Sequence, residues 1–156
     1  MPRPFMIYLM RHADAVSDEV DPVRPLSAKG RDQVARVCKA VQKAEAFNPE
    51  EIWHSPLARS RETAELLAQG LALGARLVPA DGLRPDDDPA RVAGILASEK
   101  RDIAIVGHEP HLGLLASLMV HGPSHRTLHF PFSKGGLLAL SRKDGAWRSA
   151  WIVRSP

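Results

Sequence analysis

Apolar runs and amphipathic stripes alternate along this chain. FMIYLM at 5–10 is apolar without a break, the pattern of a strand covered on both faces. LSAKGRDQVARVCKAVQKAEAF at 26–47 is mostly polar, but Val34, Val37, Cys38 and Val41 fall on one helical face, and Ser27 is placed to cap the helix. EEIWHS at 50–55 predicts a short strand. LARSRETAELLAQGL at 57–71 predicts a helix with Leu57, Ala64, Leu67, Ala68 and Leu71 on one side. ARLVPA at 75–80 is a further short strand. LRPDDDPARVAGILASE at 83–99 is a loop entering a helix, with Asp88 as cap and Pro89 at the first helical position.

DIAIVGH at 102–108 is a second fully apolar strand, and PHLGLLASLMV at 110–120 returns to helix through Leu112, Leu115, Ala116 and Met119. GGLLALSRKDGAWRSAWIV at 135–153 contains two strands, with Lys143-Asp144-Gly145 as a hairpin turn between them. Strand and helix alternate four times. That predicts an α/β fold with a mostly parallel sheet, helices on both faces and an antiparallel hairpin at one edge. No internal repeat or linker interrupts it, so residues 1–156 are expected to form a single domain. The one long irregular stretch is HGPSHRTLHFPFSKG at 121–135, a length that in a compact domain accompanies function or mobility.

Composition narrows the partners. At 156 residues, 44% hydrophobic and 25% charged, the chain has the balance of a soluble globular protein. No apolar run nears the roughly 20 residues of a membrane helix. MPRPFMIYLMRH at the start is charged too early for a secretory signal, so a cytoplasmic protein with no membrane partner is expected. Cys38 is the only cysteine, which excludes an internal disulfide; its spacing assigns it to a helix core. A net charge of +3 favours anionic partners. Nucleic acid is not expected, because aromatics are only 5% and the cations are scattered rather than gathered into a stripe.

Chemistry enters at the strand ends. In open α/β sheets, ligands bind beyond the carboxyl ends of the strands. The first strand ends in Arg11-His12, EEIWHS leads through Ser55-Pro56-Leu57 into a helix whose first turn carries Arg59, and DIAIVG ends in His108-Glu109. Taken singly, Arg11 is an ion-pair partner, His12 a structural histidine, Arg59 part of a solvated face and His108 a cap. Together they bring two guanidinium groups, two imidazoles and two helix N-termini to one edge, which is the chemistry of phosphate binding.

These residues resemble the histidine phosphatase superfamily, which includes phosphoglycerate mutases and acid phosphatases. LMRHADA resembles its Arg-His-Gly signature, RPLSAKG its Leu-Ser/Thr-x-x-Gly segment, SPLARSRETAELLA its Ser-x-Leu-x-Arg block and IVGHEPHL its Gly-His strand end. The short length, RPLSAKG and FSKGGLLAL look closest to the SixA branch of phosphohistidine phosphatases. Ala13 departs from the signature glycine and loses some backbone freedom.

The resemblance implies a phosphoglycerate-mutase-like three-layer α/β/α fold. It implies His12 as nucleophile, Arg11 and Arg59 as clamps on the phosphoryl oxygens, and His108 as a second imidazole on the same group. It needs neither metal nor cofactor. The substrate it implies bears a phosphate: a phosphohistidine protein, for instance a histidine phosphotransfer domain, or a small phosphomonoester such as a sugar phosphate. Glu109 and Asp86, with Asp87 beside it, are the alternatives for a proton donor, and capping is the plainer reading of both. Asp14 and Asp18 near the site receive no role.

Two other classes stay open: a metal-dependent hydrolase with His12, Asp14, His108 and His111 as ligands, and a phosphate-binding module without catalysis. His111, His121, His125 and His129 are expected at the surface or rim, since no metal-ligand spacing joins them. Lys134 lies where it either shapes substrate entry or sits solvated in a loop.

Overall fold

A computed structural model describes residues 3–44, 46–123 and 130–155. The chain runs β1 (Phe5–Arg11), α1 (Ala28–Ala44), β2 (Glu51–His54), α2 (Ala58–Gly70), β3 (Arg76–Pro79), α3 (Pro89–Ala97), β4 (Ile103–Gly107), α4 (His111–His121), β5 (Leu137–Lys143) and β6 (Ala146–Val153). One six-stranded sheet has the order β3-β2-β4-β1-β5-β6. The first four of these strands are mutually parallel, and β5 and β6 add an antiparallel margin beside β1. The expected mostly parallel sheet with an edge hairpin is what forms, and 75–80 does supply a strand.

Alternation along the two central strands divides the core. Tyr8, Met10, Ala104 and Val106 point to the face covered by α1 and α2, where Val34, Val37, Cys38, Val41, Ala64 and Leu67 meet them. Ile7, Leu9, Ile103 and Ile105 point to the other face, against Val92, Leu96, Leu112 and Leu115 of α3 and α4. Both faces of β1 and β4 are therefore dry, which explains the unbroken apolar runs at 5–10 and 103–107. Among the described residues, no helix is long and apolar enough to cross a membrane.

Local chemistry sets the element ends. Asp88 accepts from the Ala90 N–H with Pro89 in the first helical turn. Asp144 and Gly145 both take positive φ, 54° and 77°, as a two-residue hairpin turn demands. Ser27 caps α1 by accepting from the Gly30 N–H at 3.0 Å, and its own hydroxyl donates to the Asp14 carboxylate at 2.7 Å. Gly30 is required there, since a Cβ would lie 2.0 Å from the Asp14 carbonyl oxygen. The Leu-Ser-x-x-Gly segment is thus the device that seats α1 against the chain just after His12.

Candidate active site

β1 and β4 are neighbours, with Arg11 opposite Gly107, so the next residue of each is a histidine at the same edge. The His12 N–H donates to the Gly107 carbonyl at 2.9 Å, and the two imidazole centroids stand 5.1 Å apart. His12 is 7% exposed and His108 1%. His12 Nδ1 lies 2.7 Å from its neighbour's carbonyl oxygen, that of Ala13. A carbonyl only accepts, so Nδ1 carries the ring proton and Nε2 keeps its lone pair. Burial, with the charges of Arg59, Arg11 and Arg24, pushes His12 down to about 4, and the ring is neutral at pH 7.

His108 is held by two hydroxyls. Its Nε2 lies 2.8 Å from Ser55 Oγ and 3.1 Å from Ser60 Oγ. Ser55 Oγ also accepts from the Leu57 N–H; with its own proton given to His108 Nε2, the ring proton sits on Nδ1. Burial and the facing His12 push His108 down to about 3. Thr63 does a similar service one turn on: its hydroxyl donates to the Arg59 carbonyl at 2.7 Å and accepts from the Ala13 N–H at 3.1 Å. The serines and threonine of the α2 block therefore tie the helix to both histidine-bearing strand ends.

Ala13 is fully buried, and it is not among the residues with positive φ. Alanine takes this backbone without strain, so the missing signature glycine costs nothing here.

The guanidiniums complete the edge. Arg11 donates from Nη1 to the Phe132 carbonyl at 2.8 Å, while its Nε is buried without a partner. Arg59 Nε is likewise buried and unpartnered, and so is His108 Nδ1. Three donors at one edge of the sheet with no acceptor among the described residues is unusual, because buried polar groups are nearly always satisfied. Gly135, at φ 76°, brings its N–H to the carbonyls of Arg11 and His12 at 3.1 and 3.2 Å, so the paired glycines of FSKGG buttress the strand end.

Arg24 joins the site without having been foreseen. It lies two residues before the Ala15–Leu26 bridge, takes φ 54°, and donates from Nε to the Val16 carbonyl at 3.0 Å. Its charge, after burial, is what pushes the Arg59 guanidinium down from its usual range. Nothing in its sequence spacing marked it; the only hint was its place in RPLSAKG.

The acidic candidates are engaged elsewhere. Glu109 Oε1 accepts from the Gly113 N–H at 2.7 Å, capping α4, and Oε2 accepts from the Phe132 N–H at 3.4 Å. Asp86 is exposed, and Asp87 accepts from the Arg84 N–H. Asp14 bonds Ser27 and pairs with Lys134 at 2.9 Å, which holds its carboxyl below the usual range. Lys134 is thereby a fastening between the chain after β1 and the turn before β5.

His111 corrects the expectation of a surface histidine. Residue 111 begins a helix buried on most of its circumference, so it has no solvent side, and its ring is 1% exposed. His121 is exposed as expected, whereas His125 and His129 lie outside the described residues. The four-ligand metal set is not assembled, and among the described residues no group of three His, Cys, Asp or Glu is placed to hold a metal ion. A cavity of about 660 Å³ lined by Arg3, Phe5, Arg142 and Gly145 lies at the start of β1, the opposite end of the sheet.

Two buried neutral histidines make stability acid-sensitive. Unfolded, each ring takes a proton near pH 6.5; folded, neither does until about 4 and about 3. Between those limits the unfolded state binds more protons, so stability is full above pH 6.5 and falls as pH drops. The expected slope is up to about 1.4 kcal/mol per pH unit for each ring. Urea unfolding at pH 7, 6 and 5 checks it, with His108→Gln expected to be the less pH-sensitive protein.

The family described as histidine phosphatase superfamily (branch 1) matches residues 7–84. An uncharacterized protein of Picosynechococcus sp. is 32% identical over 149 residues, spanning 91% of this chain and 87% of that one. The structure of the protein histidine phosphatase SixA complexed with tungstate superposes with a TM-score of 0.84 at 22% identity, over 96% of this chain and 97% of that one. A mycobacterial glucosyl-3-phosphoglycerate phosphatase superposes at 0.71 with 19% identity, over 99% and 100%.

Proposed function

Because the chain belongs to the histidine phosphatase superfamily, branch 1, we propose that it hydrolyses protein phosphohistidine through a phosphorylated His12, without a metal ion. The observation that carries this reading is the cluster of three buried, unpartnered donors beside a neutral imidazole: Arg11 Nε, Arg59 Nε and His108 Nδ1 around His12. Three donors converging from different elements match a tetrahedral oxyanion, and SixA itself was captured with one, tungstate.

In the first half-reaction, the lone pair on His12 Nε2 attacks phosphorus and the bond from phosphorus to the substrate's ring nitrogen breaks. Arg11, Arg59 and His108 stabilise the negative charge on the three equatorial oxygens, and the arginines supply the positive charge that a metal supplies elsewhere. The Nδ1 proton, bonded to Ala13, lets the His12 ring accept the phosphoryl group as an imidazolium. In the second half, water attacks phosphorus, the Nε2–P bond breaks and its electron pair returns to the ring. Both water protons leave with the phosphate, one passing to solvent at neutral pH.

The leaving group favours phosphohistidine over an ester. A substrate imidazole protonated on its far nitrogen departs as a neutral ring and needs no enzyme acid, whereas an alkoxide needs one. Glu109 is the acid nearest in sequence to the site, and both its oxygens are taken up by backbone N–H bonds. Its place between the α4 N-terminus and Phe132, whose carbonyl holds Arg11, suits a positioning residue. The metabolite reading keeps the same pocket and uses Glu109 or Asp86 as acid; a glucosyl-3-phosphoglycerate phosphatase among the structural neighbours makes it the natural rival.

The test is a rate comparison on one preparation. A histidine phosphotransfer domain carrying phosphohistidine is expected to turn over with kcat/KM at least about 100-fold above a panel of sugar phosphates and other phosphomonoesters. The opposite order would assign the enzyme to small molecules.

A further inference from the structure

The loop between the Ala15–Leu26 bridge ends carries a feature that phosphate chemistry leaves unused. The two most exposed large apolar side chains among the described residues are Val20, 75% exposed, and Val23, 63% exposed, and both stand in this loop. It is folded on itself. The Val16 N–H donates to the Pro25 carbonyl at 2.9 Å, the N–H groups of Val20 and Asp21 both reach the Ser17 carbonyl, and the Arg24 N–H reaches that of Asp21. The Val23 N–H donates to the Asp21 carboxylate at 3.0 Å. The loop therefore presents its valines in a fixed arrangement rather than losing them in a mobile tail.

Its base is tied to the site. Ala15 lies three residues beyond His12, and the Leu26 N–H donates to Glu62 Oε1 on α2, in the turn after Arg59. Arg24 directly follows Val23 and is fastened to Val16 by its Nε. The charge of Arg24 is felt by both Arg59 and His12, and Val23 is its immediate neighbour in the chain.

A free phosphohistidine or a sugar phosphate is small and does not need an apolar platform beyond the pocket. A folded protein that inserts a phosphoimidazole brings the surface around that residue with it. Preformed apolar contacts raise affinity there because little ordering entropy remains to be lost. Asp18, Glu19 and Asp21 share the loop with the valines, so the surface that fits it is apolar with a neutral or basic rim rather than an acidic one.

We propose that Val20 and Val23 form a docking platform for the phosphorylated protein substrate, with Arg24 leading the phosphoimidazole inward to Arg59 and His12. This rests on the phosphohistidine reading above. The test compares wild type with the double variant Val20→Ser, Val23→Ser on two probes: a phosphorylated histidine phosphotransfer domain and free phosphohistidine. With the protein probe, KM is expected to rise about tenfold or more, the loss typical of an interface anchor; with the free amino acid, kcat/KM is expected to stay within about twofold.

Unchanged KM on the protein probe overturns the platform and leaves the phosphohistidine reading standing. Equal losses on both probes also overturn it, since the substitutions would then be disturbing the pocket. Wild-type enzyme that ignores the protein probe but cleaves phosphomonoesters overturns the underlying reading, and the platform with it. A self-associated wild type that becomes monomeric in the variant would assign the valines to a second copy of this chain and overturn the proposal.

Discussion

Replacing His12 with alanine is expected to lower turnover by about 10⁴-fold or more and to abolish a phosphoryl label on the protein that survives base and is lost in acid. No neighbour can inherit the role. His108 is the nearest imidazole, but its Nε2 is held between the Ser55 and Ser60 hydroxyls, with the ring proton on Nδ1. It offers one donor, and its lone pair is already engaged. Rapid quench with ³²P-labelled substrate, followed by gel separation at alkaline pH, reads the label. A label retained in His12→Ala would place the nucleophile elsewhere and reduce this cluster to a binding site.

The second large effect is expected at Arg59. Loss of one preorganised donor to a charge that develops during reaction costs about 10²–10³ in kcat, and Arg59→Ala is expected to fall in that range. Arg59→Lys should recover little, because a point-like ammonium cannot span two phosphoryl oxygens as a planar fork does. A change in pH profile distinguishes this from general damage. Arg59 is the neighbouring charge that most disfavours protonated His12, so its removal lets that ring protonate at higher pH. The acidic limb of kcat/KM is then expected to move upward from about 4 toward, but not to, 6.5, since burial of the ring persists. An unchanged limb with lowered kcat would show that Arg59 acts on the substrate alone.

The frame was readable because its signals are local. Unbroken apolar runs at 5–10 and 103–107 mark strands covered on both faces, and Ser27, Asp88 and Asp144-Gly145 mark ends through backbone chemistry within a few residues. Arg11, His12, Arg59 and His108 were findable since a parallel sheet collects its strand ends at one edge. Contacts between distant parts of the chain were not findable. Ser60 and Ser55 meet His108 across 48 and 53 residues, and each reads in sequence as an ordinary helix-entry hydroxyl. Arg24 looked like one scattered cation among many; only closure of its loop at Ala15–Leu26 carries it to the site. His111 misled because a histidine in the first turn of a helix is usually wet, and the burial of α4 depends on packing that no window along the chain contains.

The register of β1 against β4 has a wider consequence. Adjacent strands run about 4.8 Å apart whatever their side chains, and the 5.1 Å between the two imidazole rings is close to that interval. The spacing of the two imidazoles is thus gauged by peptide geometry rather than by how the hydrophobic layers interlock. Drift in those layers can alter how firmly the molecule holds together while leaving its reactive spacing almost untouched, so distant relatives can share one chemistry over a largely rewritten interior.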